Sequence, residues 1–476
     1  MRSQREIFNL ERQNHWDAVA SRLSSWSGLG GYYNRRIAQV YQFLIPPGSR
    51  VLEVGCGSGD LLASLQPKYG VGIDISGGMI ERANKLHPDI TYIKSDLTDI
   101  KLEDQFDFII FSDTVNDLWD VQSSMEKAHE LLAPSGRIIL NFYSRLWELP
   151  LKLAEALHLA KPTLLQNWLT IEDANNLLHL ADFETIRYFH EVLLPLPIPL
   201  LAPLCNRFLV KLWPFSSLGM TQFIVARPRP RQAAEHIKPS VSVIVPARNE
   251  AGNIKSIFER VPSMGSSTEL VFIEGHSSDN TAAEIESQMH AHPGVATQFA
   301  RQSGVGKGDA VRLGFTKATG DVLMILDADL TVPPEDLPRF YDAIESGKGE
   351  FINGVRLVYP MEKRAMRFLN FLGNKAFSII FSFLLGQPVK DTLCGTKVLW
   401  KRDYETIAAN RAYFGDFDPF GDFDLIFGAA KFNLKIVDLP IRYQERTYGT
   451  TNIQRWKHGW LLLRMVLFAA RRLKFT

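Results

Sequence analysis

Three features of the sequence predict two doubly wound α/β domains in tandem. Short β-rich runs alternate with helix-like stretches in both halves. Each half opens on an apolar strand that runs into a turn-forming segment and then a helix. A Pro- and Arg-rich break, beginning Arg227-Pro228-Arg229-Pro230-Arg231, separates the halves and has too few apolar groups to nucleate a core.

In the first half the strands are expected over 50–54, 70–74, 107–112 and 137–142, with a further unit ending near Asp96. The segment Leu193-Leu194-Pro195-Leu196-Pro197-Ile198-Pro199-Leu200 cannot be helical, because proline at every second position removes amide donors. It is expected as an extended crossing or a loop, either packed on its own domain or lining a substrate mouth or lipid. In the second half, strands are expected over 241–245, 270–274, 322–326, 351–355 and 435–439. The resulting division is a first domain over 1–227, a linker over 228–239 and a second domain over 240–476.

Composition limits the classes of function. The 476 residues suffice for two or three full cores, and the formal net charge of +1 gives the molecule no overall basic bias; no nucleic-acid partner is expected. The charge is uneven, with eight Lys or Arg against a single Glu over 442–476. Such a tail suits an anionic surface or polyanionic ligand. The three cysteines, Cys56, Cys205 and Cys394, are widely spaced and form neither a disulfide framework nor a zinc pattern. The opening residues show no apolar signal segment, and no run reaches the ~20 apolar residues of a membrane span. A cytoplasmic protein, peripheral at the inner face of the membrane, is expected.

The first chemical motif is Val51-Leu52-Glu53-Val54-Gly55-Cys56-Gly57-Ser58-Gly59-Asp60, a strand entering a glycine-rich turn. A dinucleotide fingerprint would carry a glycine where Asp60 stands, and Glu53 would repel a pyrophosphate. A ligand with an ammonium and a sulfonium would instead be welcome. Asp74 ends the next strand, beside the first turn, where a carboxylate can accept both hydroxyls of a ribose. Asp96 ends the unit after that and can accept an adenine amino group. These residues, with Phe106-Asp107-Phe108-Ile109-Ile110 and Leu132-Ala133-Pro134-Ser135-Gly136-Arg137, resemble class I S-adenosylmethionine-dependent methyltransferases over roughly residues 15 to 227. The resemblance implies a Rossmann-like fold and S-adenosylmethionine held by Glu53, Gly55, Gly57, Gly59, Asp74, Ile75, Asp96 and Leu97. Tyr32, Tyr33, Asn116, Trp119 and Tyr143 either surround the methyl acceptor or serve as core and lid; no unambiguous general base is readable.

The second half begins Val241-Ser242-Val243-Ile244-Val245-Pro246-Ala247-Arg248-Asn249-Glu250, and its second strand ends at Glu274, before Gly275-His276-Ser277-Ser278-Asp279. The decisive piece is Val322-Leu323-Met324-Ile325-Leu326-Asp327-Ala328-Asp329. Two carboxylates at the mouth of a sheet repel unless a cation sits between them. Hard oxygens suit Mg²⁺ or Mn²⁺ shared with a diphosphate, so Asp327 and Asp329 are the expected metal ligands.

Together with Gly306-Lys307-Gly308-Asp309-Ala310, these motifs resemble family 2 glycosyltransferases of the GT-A fold over 240 to about 476. Arg356, Asn374, Asp391-Thr392-Leu393-Cys394-Gly395-Thr396-Lys397 and Arg446-Thr447-Tyr448-Gly449-Thr450-Thr451-Asn452 point to the polyprenyl-phosphate branch, of the dolichyl-phosphate mannose synthase type. The sequence departs from that branch at Thr331, where glutamine is usual, and at Asn452, where lysine is usual. The resemblance implies a nucleotide-sugar donor bound by Pro246, Ala247, Arg248, Glu250, Glu274, Ser277, Asp279, Lys307 and Asp327. The implied catalytic set is Asp329, Asp422, Asp424, Arg356 and Arg446. A polyprenyl-phosphate or other lipid-linked acceptor would be positioned by Arg356, Arg367 and Arg446. A sugar hydroxyl would instead need a carboxylate base, for which Asp422 and Asp424 are placed unless they merely cap the next helix. In that alternative the first domain serves as a binding or scaffolding module.

The tail from Trp456 to Lys474 reads as one helix. Lys457, Arg464 and Arg471 share a basic face, and Trp460, Leu463, Leu467 and Ala470 mark an apolar one. It is expected to lie on an anionic membrane surface beside Phe368–Leu385, or to pack as an ordinary amphipathic helix.

Overall fold

The computed structural model describes residues 3–22, 28–156, 164–230, 238–359, 368–413, 423–446, 448 and 455–476. The chain divides into two compact units, Met1–Arg229 with Phe475–Thr476, and Pro230–Lys474.

The first unit is built on seven strands: β1 (Arg50–Val54), β2 (Tyr69–Asp74), β3 (Thr91–Lys94), β4 (Phe106–Ser112), β5 (Leu132–Tyr143), β6 (Phe183–Glu191) and β7 (Thr221–Pro228). Their order is β3-β2-β1-β4-β5-β7-β6, with β1 to β5 parallel. β7 inserts antiparallel between β5 and β6. The central strands carry Val51, Leu52, Ile109, Ile110, Ile138 and Ile139, all fully buried, because helices cover both faces of the sheet. The chain order reverses on either side of β1. That reversal opens a crevice beyond the carboxyl ends of β1 and β4.

The second unit has β8 (Val241–Ala247), β9 (Thr268–Glu274), β10 (Ala296–Arg301), β11 (Val322–Ile325), β12 (Phe351–Val355), β13 (Lys397–Trp400) and β14 (Ile436–Pro440). The order is β10-β9-β8-β11-β13-β12-β14. β8 to β11 are parallel, β13 runs antiparallel to β11 and β12, and β14 is parallel to β12. Here the reversal lies beside β8, so the ends of β8, β9 and β11 face one crevice.

β6, β7, β10 and β13 are strands that the sequence reading did not mark. Each is held by its neighbours rather than by its own pattern. β10, for example, buries no residue fully and sits at a sheet edge. The segment 193–200 is a loop, pinned by Asn206: its side-chain oxygen accepts from the amides of Leu193 and Leu194 at 2.7 and 2.8 Å, and its nitrogen donates to the Leu194 carbonyl. Phe368–Leu385 is helical, and the tail is helical over Arg455–Ala469, continuing as a π-turn to Lys474. Among the described residues no helix is long and apolar enough to cross a membrane.

Candidate active sites

The first crevice is built from the turn after β1. Gly55, Gly57 and Gly59 all have positive φ, between +51° and +75°, a region that glycine enters without strain. A β-carbon on Gly55 would meet the Thr114 side chain at 2.3 Å, and one on Gly59 would meet the Tyr92 hydroxyl at 2.3 Å. A β-carbon on Gly57 would meet nothing within 4 Å, so this glycine faces the open crevice.

Carboxylates surround that opening. Asp74 accepts the Gly57 amide at 2.9 Å and the Ser76 amide at 2.8 Å, tying the turn to the end of β2. Burial raises its pKa, and those two amides oppose the rise. Glu53 is buried and accepts the Leu62 amide at 3.1 Å; burial pushes it well above the usual carboxylate range. A buried acid in this state gains most from a cationic ligand. Asp96 caps a short helical turn through Thr98 and also accepts from Asn9 and Arg5. Burial raises its pKa, but Thr98 and Arg5 outweigh that and hold it low. Ile75 is half-buried beside Asp74, and Leu97 is buried beside Asp96.

The helix Gln4–Ala20, which lies mostly outside the span of the sequence resemblance, closes over this crevice. Arg5 and Asn9 reach Asp96, and Arg12 and Trp16 both donate to Asp117 at 2.8 Å. Asp17 accepts from the Gly78 amide at 2.8 Å. One helix is thus latched to the loops after β3 and β4 and to the helix after β2.

The second crevice gathers the ends of β8, β9 and β11. Pro246 and Ala247 close β8, Arg248 is exposed, and Glu250 precedes the helix Ala251–Arg260. Glu274 ends β9, buried, and accepts the Ser277 amide. The Ser277 hydroxyl in turn accepts the Asn249 amide at 3.0 Å, linking the two turns. Asp279 accepts from Thr281, the Ala251 amide and the Tyr448 hydroxyl.

Beyond β11, Lys307 stands 2.6 Å from Asp327 and Arg446 stands 2.6 Å from Asp329. Arg446 also donates to Glu250 at 2.9 Å. Thr331 donates its amide and hydroxyl to Asp329 at 3.1 and 2.8 Å. Burial pushes Asp327 up, but Lys307 outweighs it, aided by Lys397 and Arg356, and keeps it below its usual range. Burial lifts Glu250 to about 7; Arg446 opposes this and the charge on Asp329 adds to it.

The amino-acid sequence matches two family models: "Methyltransferase domain" over residues 29–188 and "Glycosyl transferase family 2" over 242–407. The chain joins a methyltransferase domain to a family 2 glycosyltransferase domain.

The glycosyltransferase half has curated relatives. A dolichol-phosphate mannosyltransferase of Pyrococcus furiosus is 28% identical over 45% of this chain and 59% of its own length. One from Saccharomyces cerevisiae is 36% identical over 22% of this chain and 40% of its own. A low-salt glycan biosynthesis hexosyltransferase of Haloferax volcanii is 26% identical over 50% of this chain and 55% of its own. The chain therefore spans less than two thirds of each of these relatives. A solved SAM-dependent methyltransferase of Thermotoga maritima aligns with 47% of this chain and 99% of its own, at 19% identity and a TM-score of 0.35.

Several expected glycosyltransferase residues take positions that their residue type alone did not suggest. Arg356, expected at a phosphate, is buried and gives two bonds of 2.7 and 2.9 Å to Asp391, which is fully buried. That pair fastens the 391–397 loop to the end of β12. Asp424 lies 3.6 Å from Arg411 on the helix Phe423–Lys431. Asp422 and Arg367 lie outside the described residues.

In the methyltransferase domain Tyr33 is buried and Tyr32 accepts from Asn206. Asn116, also buried, donates to the Asn167 carbonyl at 2.7 Å and accepts the Tyr143 amide. Trp119 is 46% exposed and packs edge-on against Phe8 of the closing helix.

Sequence reasoning missed three features. Gly395 leaves just enough room for Asp327 and Lys307, since a β-carbon there would lie 1.9 Å from the Asp327 carboxylate. Lys397 is fully buried, with its ammonium on the Cys394 carbonyl. Asp113, one residue past β4, is gripped by Tyr33 and Asn141. Gly395 and Lys397 stand in the motif 391–397 that the sequence reading quoted, but without a role for either; nothing local distinguished Asp113.

Proposed function

We propose that the chain catalyses two group transfers: methyl transfer from S-adenosylmethionine in the first domain, and sugar transfer from a nucleotide-sugar in the second. The observation that carries the second reading is the pairing of Lys307 with Asp327 and of Arg446 with Asp329 at the end of β11. Two acids and two cations at one strand end suit a diphosphate together with a divalent ion. The phosphate oxygens would draw Lys307 and Arg446 away, freeing the carboxylates.

The donor set fits Mg²⁺ or Mn²⁺, which take one or two carboxylates and fill the remaining positions with phosphate and water. When bound, the ion supplies Lewis-acid stabilisation of the departing nucleoside diphosphate. Asp327 and Asp329 would hold it, with Thr331 orienting Asp329 in place of the usual glutamine. Phosphate oxygens and water would complete the shell. The turns at Arg248–Glu250 and Glu274–Asp279 supply groups for the nucleoside.

The methyltransferase crevice fits its donor for a different reason. Glu53, Asp74 and Asp96 ring an opening faced by Gly57, so an ammonium, a ribose diol and an adenine amine each find an acceptor. The chain's own residues bind and orient the donor and, through the helix Gln4–Ala20, exclude water.

The sugar acceptor is proposed to be polyprenyl phosphate or another lipid-linked species at a membrane surface. The named activity of the two mannosyltransferase relatives supports this, as does the tail. Leu462, Met465, Ala469 and Leu473 are buried, whereas Trp460, Leu463 and Leu467 are exposed alongside Arg464 and Arg471. On the helix Phe368–Leu385, Ile379, Ile380 and Phe383 are exposed too, with Lys474 4.4 Å above the Phe383 ring. Exposed apolar groups interleaved with arginine suit an anionic leaflet. The test is a screen of UDP- and GDP-sugars with and without polyprenyl phosphate; a donor used only with a soluble sugar acceptor overturns the lipid-phosphate assignment.

A further inference from the structure

We propose that Asp113 is the general base of the methyl-transfer site and that the methyl acceptor is a neutral hydroxyl group; this rests on the reading of the first domain as an active methyltransferase.

The placement comes from the backbone. Asp113 follows β4 directly, and its amide donates to the Asn141 carbonyl of β5 at 3.0 Å. Its φ of +54° is a left-handed conformation that a non-glycine residue adopts only when its surroundings enforce it. The next residue, Thr114, lies against Gly55 of the donor turn and donates to the Val54 carbonyl at 2.8 Å. Asp113 therefore stands at the reversal point of the sheet, adjoining the turn that faces the methyl donor.

The carboxylate is held by neutral donors. The Tyr33 hydroxyl lies 2.9 Å from both of its oxygens, and the Asn141 amide nitrogen donates to one of them at 2.6 Å. Tyr41 fixes that amide by donating to its oxygen at 2.7 Å, so the nitrogen must face Asp113. Thr221 lies 3.1 Å from the Tyr33 hydroxyl. Among the described residues no cation pairs with Asp113. Burial accordingly lifts it to about 7, with Tyr33 and Asn141 opposing the rise. The other titratable groups facing it are Tyr33, Tyr41 and Tyr143, all pushed up by burial and by the charge of Asp113. Asp113 is the group here that changes charge near neutral pH.

A base matched to neutral pH serves an acceptor that must lose a proton as it attacks. An alcohol or phenol is such an acceptor; a phosphate oxyanion has already lost its proton, and a free amine is nucleophilic before it loses one. An anionic acceptor would also be repelled by an unpaired carboxylate. In the step, the acceptor O–H proton passes to Asp113 and the oxygen lone pair forms the O–CH₃ bond. The S–CH₃ bond breaks with its electrons left on sulfur, the sulfonium becomes a neutral thioether, and the proton leaves Asp113 to solvent.

The experiment uses the full chain, labelled S-adenosylmethionine and a cell-envelope lipid and glycan extract as acceptor. Asp113→Asn should lower methyl transfer by roughly 10²-fold or more, with donor affinity by calorimetry changed by less than about twofold (~0.4 kcal/mol). The wild-type rate should rise with pH through about 7. Tyr33→Phe removes a bond that lowers the Asp113 pKa, so it should move that limb to higher pH, a change that loss of packing alone does not produce. The carboxyl ¹³C signal of Asp113, followed by NMR in the free protein, should titrate near neutrality whether or not the extract contains the acceptor. Asp113→Asn retaining more than half of the transfer overturns the proposal. So does label released by mild alkali as from an ester, label retained as a methylated amine on a cation exchanger, or a carboxyl that titrates in the ordinary aspartate range. Wild-type protein that fails to bind the donor would instead overturn the methyltransferase reading itself.

Discussion

Arg446 stands 2.6 Å from Asp329 and, through its other terminal nitrogen, 2.9 Å from Glu250. One guanidinium thus joins the end of β11 to the turn after β8, and the state of Glu250 depends on it. Glu250 ionises near pH ~4.3 in an unfolded chain and at about 7 in the fold. A carboxyl raised in this way favours the folded state below its unfolded pKa, and that contribution is lost as pH climbs through about 7. Glu250→Gln should flatten the fall in stability across that window, measured by denaturant titration at several pH values. Arg446→Met removes the charge that opposes burial, so Glu250 should titrate higher still; a fall in its NMR midpoint would contradict this.

Asp329→Ala should abolish sugar transfer with only a modest fall in the thermal midpoint, since Arg446 and Thr331 lose a partner at the crevice while the core is untouched. Excess EDTA should stop transfer, and Mn²⁺ or Mg²⁺ should restore it. Undiminished transfer in EDTA would rule out the proposed ion and leave the leaving diphosphate to side-chain cations such as Lys307 and Arg446.

Gly395→Ala should impair sugar transfer without touching the methyltransferase domain. Its β-carbon would fall 1.9 Å from an Asp327 oxygen and 2.4 Å from the Lys307 ammonium, so the pair must separate or the loop must lift. Donor affinity measured by calorimetry should weaken about tenfold, or ~1.4 kcal/mol, with methyl-donor affinity as the internal control.

Arg356→Met should destabilise the second domain by roughly 3–5 kcal/mol, because it strands a buried carboxylate. Arg356→Met combined with Asp391→Leu should recover part of that loss. A single variant as stable as the wild type would mean that Asp391 finds another partner, and the loop anchor would have to be sought elsewhere.

Removing residues 456–476 should release the protein from anionic liposomes. High salt should release the intact chain only in part, since the apolar contribution of Trp460, Leu463 and Leu467 is not screened. Deleting residues 3–20 should leave liposome binding intact but weaken the methyl donor about tenfold (~1.4 kcal/mol), because Arg5, Asn9, Arg12, Trp16 and Asp17 no longer close the crevice. Equal donor affinity in the shortened chain would make that helix a packing element only.

The sequence by itself determined the two kinds of domain, their order and the turns in which the candidate residues stand. Those are local facts. The glycines before Asp60 must lie in a tight turn, and an apolar run that ends in Asp327 and Asp329 must leave them at a strand end. The tertiary structure decided which of those polar groups is free and which is spent. Arg356 and Arg446 are both arginines near family motifs, yet the first is consumed by Asp391 in the interior and the second bridges two acids in the crevice. The edge strands β10 and β6 and the antiparallel insertions β7 and β13 likewise owe their existence to neighbours distant in the chain. Asp113 was invisible for the same reason. Its partners Tyr33, Asn141 and Tyr143 come from one helix and one neighbouring strand, and only their convergence surrounds a buried carboxylate with neutral groups. Local pattern reports which backbone the chain will adopt, but the protonation and pairing of a side chain depend on the company that folding brings to it.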